Sequence, residues 1–416
     1  MNLAQYGTPT HTYTGSGTLR HDDGSRTPCE FEAGQLPHGD VIILTSTSAV
    51  QVAIAPAVQF VGTTSGGDVV DARLDPLGIN ILPRPGRRQT GSEFAHRASK
   101  LRVSRPQTSP SHTLRYGLVN FRFSGTNQFI QHEAGTPIRG DRQLGLQLQR
   151  RRGSIDVVVE PIPDYHSVAL RLTTLRDVAL TCETVLDSST PPPAVKADDV
   201  MSDLCLVMSL ARGTLVQWVY RRELDATGHQ CAITHVNHIT RPFNSLAALD
   251  HRLPARADTK RFIEGAYASL PQVSIKYAIR RGLISAYVDS RGEDDFLEFR
   301  GLKVAALAEM VKTQGSTRKD GRSFHDRLAV CCRRAGFHPT DADLSDFVES
   351  RNRLVHAGRF RSDPKSRHTT VRFQRPVDEY FFMISFLDRF FLKLFGYSGL
   401  FVEWAQFPNH ENGHLP

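Results

Sequence analysis

The stretch DSSTPPPAVKADD, residues 187–199, is where the character of the chain changes. Its three consecutive prolines favour an extended spacer, and the Ser, Thr and Asp around them are linker residues. On its N-terminal side lie Asp40-VIILTST, Val50-QVAIA, Leu118-VNFRF, Leu144-GLQLQ, Ile155-DVVVE, Ser167-VALRL and Val178-ALTCETV. These runs are short, rich in β-branched residues and partly alternating, with Gly and Pro between them, which predicts strands. No helix of useful length is expected before residue 195, and an antiparallel sandwich or barrel follows.

On the C-terminal side, Val200-MSDLCLVMSLA has helical spacing. Thr214-LVQWVYRREL and Cys231-AITHVNHI predict two strands around an Asp225–Gly228 turn, packing back on the β part. From about residue 246 the pattern is helical. Helices are predicted over Thr259–Ser269, Ile275–Val288, Phe296–Thr313, Ser323–Ala335, Asp341–Ala357 and Val377–Phe395. The last carries a 3.6-residue stripe of Tyr380, Ile384, Leu387, Phe391 and Leu394. Gly336 and Gly358 are placed to end helices. The expected organisation is α+β and multidomain. A β-rich, sandwich- or barrel-like sensor or regulatory domain spans 1–190, a linker with helix and hairpin spans 191–245, and an all-α domain spans 246–416.

Length and composition agree with this division. At roughly 100–200 residues per domain, 416 residues allow two or three domains. With 40% hydrophobic and 23% charged residues, bulk disorder, collagen and coiled coil are excluded. Six scattered cysteines with no CxxC pair do not make a disulfide scaffold and suit reduced thiols in a cytoplasmic protein. MNLAQYGTPTHTYTG does not read as a signal peptide. The most apolar segment, Phe381 to Phe401, contains Asp388, Arg389 and Lys393, so a core helix is expected there and no membrane contact.

The net charge of +8 allows an anionic partner without requiring one. Two segments carry more than this whole excess. Residues 84–152 hold fourteen Lys or Arg against three Asp or Glu, and residues 351–375 hold eight against one. Part of the first segment, residues 84–112, is poor in large apolar residues and reads as a long exposed loop or partly disordered insertion. Phe94, Tyr116, Phe121, Phe123 and Phe129 punctuate it and the residues after it, so single-stranded nucleic acid could stack there. Alternate solvated strand positions explain the same pattern.

Within the second segment lies Asp346-FVESRNRLVHAGRF. Arg-x4-His occurs twice, at Arg333/His338 and Arg351/His356. The first pair straddles Gly336 and precedes Pro339, so no fixed geometry follows. The second sits inside one predicted helix, whose apolar face is Leu344, Phe347, Val348, Leu354 and Val355. Arg351 falls on that face, and a guanidinium there needs a partner or a water-filled cleft. Asn352 and His356 are i,i+4 neighbours. Glu309, near the apolar positions of Leu302-KVAALAEMV, is a candidate partner for the motif Arg, and a core-edge Glu explains it equally well. A surface helix ending in a capping His, with Arg351 bonded to a neighbouring acid, accounts for the motif without any activity.

Arg351-Asn352-x-x-x-His356, late in an all-α domain, resembles the signature of HEPN-domain ribonucleases. Phe386-LDRFFLKLFGYSGLF resembles the closing helix and Gly-Tyr-x-Gly turn of HEPN proteins of the ApeA-like abortive-infection type, which also carry a β-rich N-terminal half. The likeness covers about residues 290–400. It implies a metal-independent endoribonuclease, without cofactor, acting in anti-phage defence. RNA supplies its own nucleophile, the 2′-OH, so proton transfer and charge stabilisation suffice and a 2′,3′-cyclic phosphate results. His356 would be the general acid or base, Arg351 would hold the phosphate, and Asn352 would orient the phosphate or the imidazole. Arg353, Arg359, Arg361, Lys365 and Arg367, with Arg372 and Arg375, would grip the RNA backbone, tRNA being one candidate. The resemblance also implies a homodimer through the helical domain and a phage-derived trigger or regulatory partner. The alternative is a non-catalytic interaction or RNA-binding module whose N-terminal domain senses a ligand or phage protein. A toxin held by a neutralising partner is a third reading.

Other chemistry finds little support. His229, Cys231, His235 and His238 have no common zinc spacing and fall on a predicted strand, so no metal is expected. Walker A, GxSxG and a strand–helix GxGxxG are absent, which leaves NTP hydrolysis, serine hydrolysis and dinucleotide chemistry unsupported.

Overall fold

A computed structural model describes residues 3–6, 8–47, 56–81, 92–106, 111–123, 130–133, 136–139, 144–150, 153–187, 194–238, 240–249, 256–277, 280–293, 295–315, 322–363, 372–406 and 412–415. The first six strands are β1 (His11–His21), β2 (Arg26–Gln35), β3 (Val41–Thr47), β4 (Ala57–Thr64), β5 (Val69–Ile81) and β6 (Ser92–Ser104). They form an antiparallel barrel in the order β6-β3-β2-β1-β4-β5, closed by β5 on β6. Period-2 alternation builds it: on β2, Cys29, Phe31 and Ala33 are buried while Glu30 between them is exposed. The interior is filled by Leu19, Phe31, Ile43, Phe60, Val70, Leu101 and Val103.

β6 belongs to two structures at once. Its N-terminal half pairs with β3, from Ser92↔Thr47 to Arg97↔Ile42, and its C-terminal half with β14 (Gln230–Val236), from Lys100↔Val236 to Ser104↔Ala232. From β14 the sheet continues through β13 (Gln217–Leu224), β7 (Thr113–Val119), β12 (Leu180–Asp187), β11 (Gly153–Pro161) and β10 (Leu144–Arg150). β8 (Ile130–Glu133) and β9 (Thr136–Arg139) make a separate ribbon. The edge strand β10 is covered by α3 (Arg256–Tyr277), whose Glu264 accepts a 2.7 Å hydrogen bond from the Gln147 backbone N–H.

Helix α1 (Tyr165–Leu175) lies between β11 and β12, and α2 (Ala194–Arg212) packs on β13. Beyond α3 come α4 (Arg280–Asp289), α5 (Leu297–Gly315), α6 (Phe324–Arg334), α7 (Asp341–Ala357) and α8 (Pro376–Leu394), then the hairpin β15 (Gly399–Val402) and β16 (Asn412–Leu415). Eight helices are thus present among the described residues, in a mixed α+β chain with a β-rich N-terminal half. One continuous core joins the outer sheet, α2 and the helices α3 to α8. Helix α8 runs through it, buried on nearly every side, with Phe386 stacked on Phe347 of α7 at 4.3 Å. The predicted stripe is only one of its buried faces. A buried charge sits beside α8: Asp388 pairs with Arg291 and accepts from the Tyr287 hydroxyl at 2.5 Å.

The helices predicted from 259 onward have counterparts, except that Ile275 to Tyr277 belong to the end of α3 and α4 begins at Arg280; the hairpin around the Asp225–Gly228 turn is also present. Several local readings are corrected. Ser167-VALRL is part of α1, not a strand. Its alternating Val168, Leu170 and Leu172 mimic a strand, yet Tyr165 and Leu172 face inward at helical spacing while Leu170 is 59% exposed. Residues 92–104 of the expected loop form β6. The strand looked polar because its barrel-facing positions include His96 and Ala98 and its outward positions are charged. Leu118-VNFRF begins at the end of β7, which extends upstream to Thr113. The spacer is shorter than expected, since α2 already begins at Ala194; Val50-QVAIA and the three prolines lie outside the described residues.

Candidate functional site

Helix α7 is specified at both ends. Thr340 caps it, its hydroxyl accepting from the Asp343 N–H at 3.0 Å. Gly358 ends it in the left-handed region at φ 65°, donating to the Leu354 carbonyl. Leu344, Phe347, Val348 and Leu354 are buried as expected, but Val355 is 44% exposed. α7 crosses α5 closely at Gly301, where a Cβ would stand 2.6 Å from the Phe360 ring and 2.9 Å from Leu354.

Arg351 reaches inward from α7 and its side chain is only 12% exposed. One guanidinium nitrogen bonds Glu309 of α5, and another donates to Asn352 Oδ1 at 2.8 Å. The guanidinium lies 4.6 Å from the ring centre of Phe324, the first residue of α6. Lys312 joins the same cluster, with Nζ 2.5 Å from the second Glu309 oxygen and 5.1 Å from the Phe324 centroid. Three helices therefore converge on one arginine, and Glu309 is its partner. A cation over an aromatic face and a carboxylate at its edge is a stable way to hold a half-buried guanidinium.

His356 is exposed near the end of α7. Five residues along a helix turn the side chain by about 140° beyond a full turn and raise it about 7.5 Å. Arg351 and His356 consequently leave the helix on different faces. The helix keeps them in a fixed relation without bringing them together on one phosphate within a single chain.

The basic run after the motif splits in two. Arg361 is held by Asp346 at 3.2 Å and Glu349 at 2.8 Å, and Arg372 by Asp343 at 2.6 Å and Asp346 at 3.4 Å. Burial alone would raise the Asp343 carboxyl, but bonds from Arg372 and Thr340 outweigh it and lower it. These cations neutralise the acidic face of α7, whose acids recur at i,i+3, so Arg361 is not an open RNA grip. Arg375 pairs with Asp378 at 2.7 Å. Arg353 and Arg359, like Arg351, bury an Nε that has no hydrogen-bond partner among the described residues. Lys365 and Arg367 lie outside the described residues.

The other candidates are dispersed. Phe94, Tyr116 and Phe121 are buried, Phe123 packs edge-on against Tyr165 at 5.1 Å, and Phe129 lies outside the described residues. The four described aromatics are core, not a stacking platform. Arg97, Arg102 and Arg115 of the same segment pair with Asp40, Glu223 and the Glu160/Glu183 pair elsewhere in the β-rich half. His235 is enclosed, bonded at 2.9 Å to Tyr13 and to Gln35, while His238 stands edge-on to Trp218. Among the described residues no three His, Cys, Asp or Glu are grouped to hold a metal, and no helix is long and apolar enough to cross a membrane.

Sequence reading picked out Arg351, Asn352, His356 and Glu309 but missed Phe324 and Lys312. Lys312 three residues after Glu309 was a visible signal, while Phe324 reads only as the first apolar residue of a helix. No protein-family model, no curated protein and no solved structure matches the chain.

Proposed function

We propose that the chain is a metal-independent endoribonuclease of the HEPN type, acting in the cytoplasm in anti-phage defence. The observation that carries this reading is the motif helix itself. Arg351 and His356 share one doubly capped helix, the guanidinium is held by Glu309, Asn352 and Phe324, and the imidazole is exposed. In this mechanism a base removes the proton of a ribose 2′-OH, and the oxygen attacks the adjacent phosphorus. The 5′-oxygen leaves with a proton, so a 2′,3′-cyclic phosphate and a 5′-hydroxyl remain. His356 serves as acid or base, Arg351 offsets the charge on the phosphoryl oxygens, and Arg353 and Arg359 are the candidates for contact with the RNA backbone.

A homodimer fits the separation of the two motif residues. Gly301 packs on Leu354, so the start of α5 lies beside the end of α7. Phe299 near that start is 58% exposed and Val355 is 44% exposed, next to His356. Phe299 lies about 200° around α5 from Gly301 and so faces away from α7; a second copy seated on the end of α7 would cover Val355 and set two motif helices side by side. The β-rich half is then the sensor of a phage-derived trigger, and tRNA is one candidate substrate.

A non-catalytic interaction module is the second reading, favoured by the full engagement of Arg351 with Glu309 and Asn352. Purified protein and His356→Ala on total cellular RNA in excess EDTA separate the two. Cleavage by the unaltered chain alone, with cyclic phosphate ends, is expected. If both are inert and His356→Ala is as toxic as the unaltered chain during phage infection, the interaction module is correct.

A further inference from the structure

We propose that Glu309 is a latch that holds Arg351 in a resting position, and that Lys312 is the counter-ion that lets the latch open. The inference rests on Arg351 being the phosphate-holding residue of a ribonuclease. In the structure Arg351 is not presented to a substrate. Its outer nitrogens are taken by Glu309 and Asn352, and its flat face is covered by Phe324. Each outer nitrogen keeps a second N–H, but a phosphate can take the charge-paired position on Arg351 only by displacing Glu309. Displacement normally strands a half-buried carboxylate, which is costly. Here it does not, because the second Glu309 oxygen already holds Lys312 at 2.5 Å. Lys312 is one turn away on the same helix, so it stays with Glu309 when Arg351 leaves. It also stands over the Phe324 ring, which keeps a cation when the guanidinium turns away. The carboxylate thus has two cations, of which only Arg351 comes from another helix.

The two neighbours should act in opposite directions. Glu309→Gln keeps the shape and removes the charge, so it should free Arg351. Lys312→Met keeps the aliphatic stem on Phe324 and leaves Arg351 as the only cation on Glu309, so it should tighten the latch. A folding defect would move both variants the same way.

The test uses the full chain and phenylglyoxal, a guanidinium reagent, read by peptide mass spectrometry. Arg375, whose side chain is 61% exposed, is the internal reference. Arg351 labelling relative to Arg375 should rise about tenfold in Glu309→Gln, the scale of one lost charged hydrogen bond, and fall in Lys312→Met. Cleavage of total RNA should rise in the first variant and fall in the second. Unchanged labelling in Glu309→Gln, or the same direction in both variants, overturns the latch. Faster labelling with lower cleavage in Glu309→Gln also overturns it, since Glu309 would then position Arg351 for the reaction. If labelling behaves as expected while no form cuts RNA, the latch stands and the ribonuclease reading falls.

Discussion

At the residue scale, the barrel carries a pH dependence of its own. His96 of β6 is buried inside it, with Nε2 3.0 Å from the Thr45 hydroxyl. Burial, with the charge of His21 adding, lowers its pKa from 6.5 to about 4. His235 is enclosed as well and is lowered far below its ordinary value, burial first and His11 second. Both are therefore neutral in the fold. Between pH 6.5 and about 4 the unfolded chain binds the proton and the folded chain does not. Stability is complete above pH 6.5 and falls as pH drops through this window. The His96 shift corresponds to about 3 kcal/mol at its lower end. Unfolding free energies measured from pH 7 to pH 4 should fall less steeply in His96→Leu than in the unaltered chain. Parallel slopes would mean that His96 is hydrated and protonates in the fold.

At the scale of elements, the α5–α7 crossing positions the motif helix. Gly301 allows it, because a side chain there would overlap the Phe360 ring and Leu354. Gly301→Val must push α7 away and should cost about 1–3 kcal/mol by overpacking. Removing the Thr340 cap with Ala should cost about 1 kcal/mol and leave the crossing intact. Denaturant midpoints of the two variants give the comparison, and a valine tolerated better than the lost cap would show the crossing to be loose. Helices α6 and α7 were legible because each carries its own start and stop, Ser323 and Thr340 at the beginning and Gly336 and Gly358 at the end. The strands of the barrel were less legible. Ala33, Ala72 and Ala98 face its narrow interior, and alternation with such small residues leaves a faint pattern. α1 misled for the opposite reason, since its exposed Leu170 completes a strand-like alternation that the helix does not use.

At the scale of the whole molecule, the proposed dimer is the feature with the clearest consequence. If a second copy covers the end of α7, Val355→Glu should shift the protein to monomer in sedimentation and abolish RNA cleavage, while Phe299→Glu on the far face of α5 should not. Neither side chain is in the core, so stability should change by about 0.5 kcal/mol or less. A dimer that survives Val355→Glu would place the contact elsewhere. The outer sheet, α2 and the motif-bearing helices share one core, and β6 carries that sheet directly into the barrel.

By itself the sequence determined the run of helices that follows the β13–β14 hairpin, the ends of α7, and the presence of Arg351, Asn352 and His356 on that one helix. These depend on local periodicity and capping, which act within a few residues. Only the tertiary structure decided that β5 closes on β6, that the hairpin β13–β14 enters the sheet between β7 and β6, and that Arg361 and Arg372 are spent on the acids of α7. It alone placed Phe324 and Lys312 around Glu309 and Arg351. Such pairings join residues distant in the chain, and a charge or a ring carries no mark of its partner until packing brings the two together.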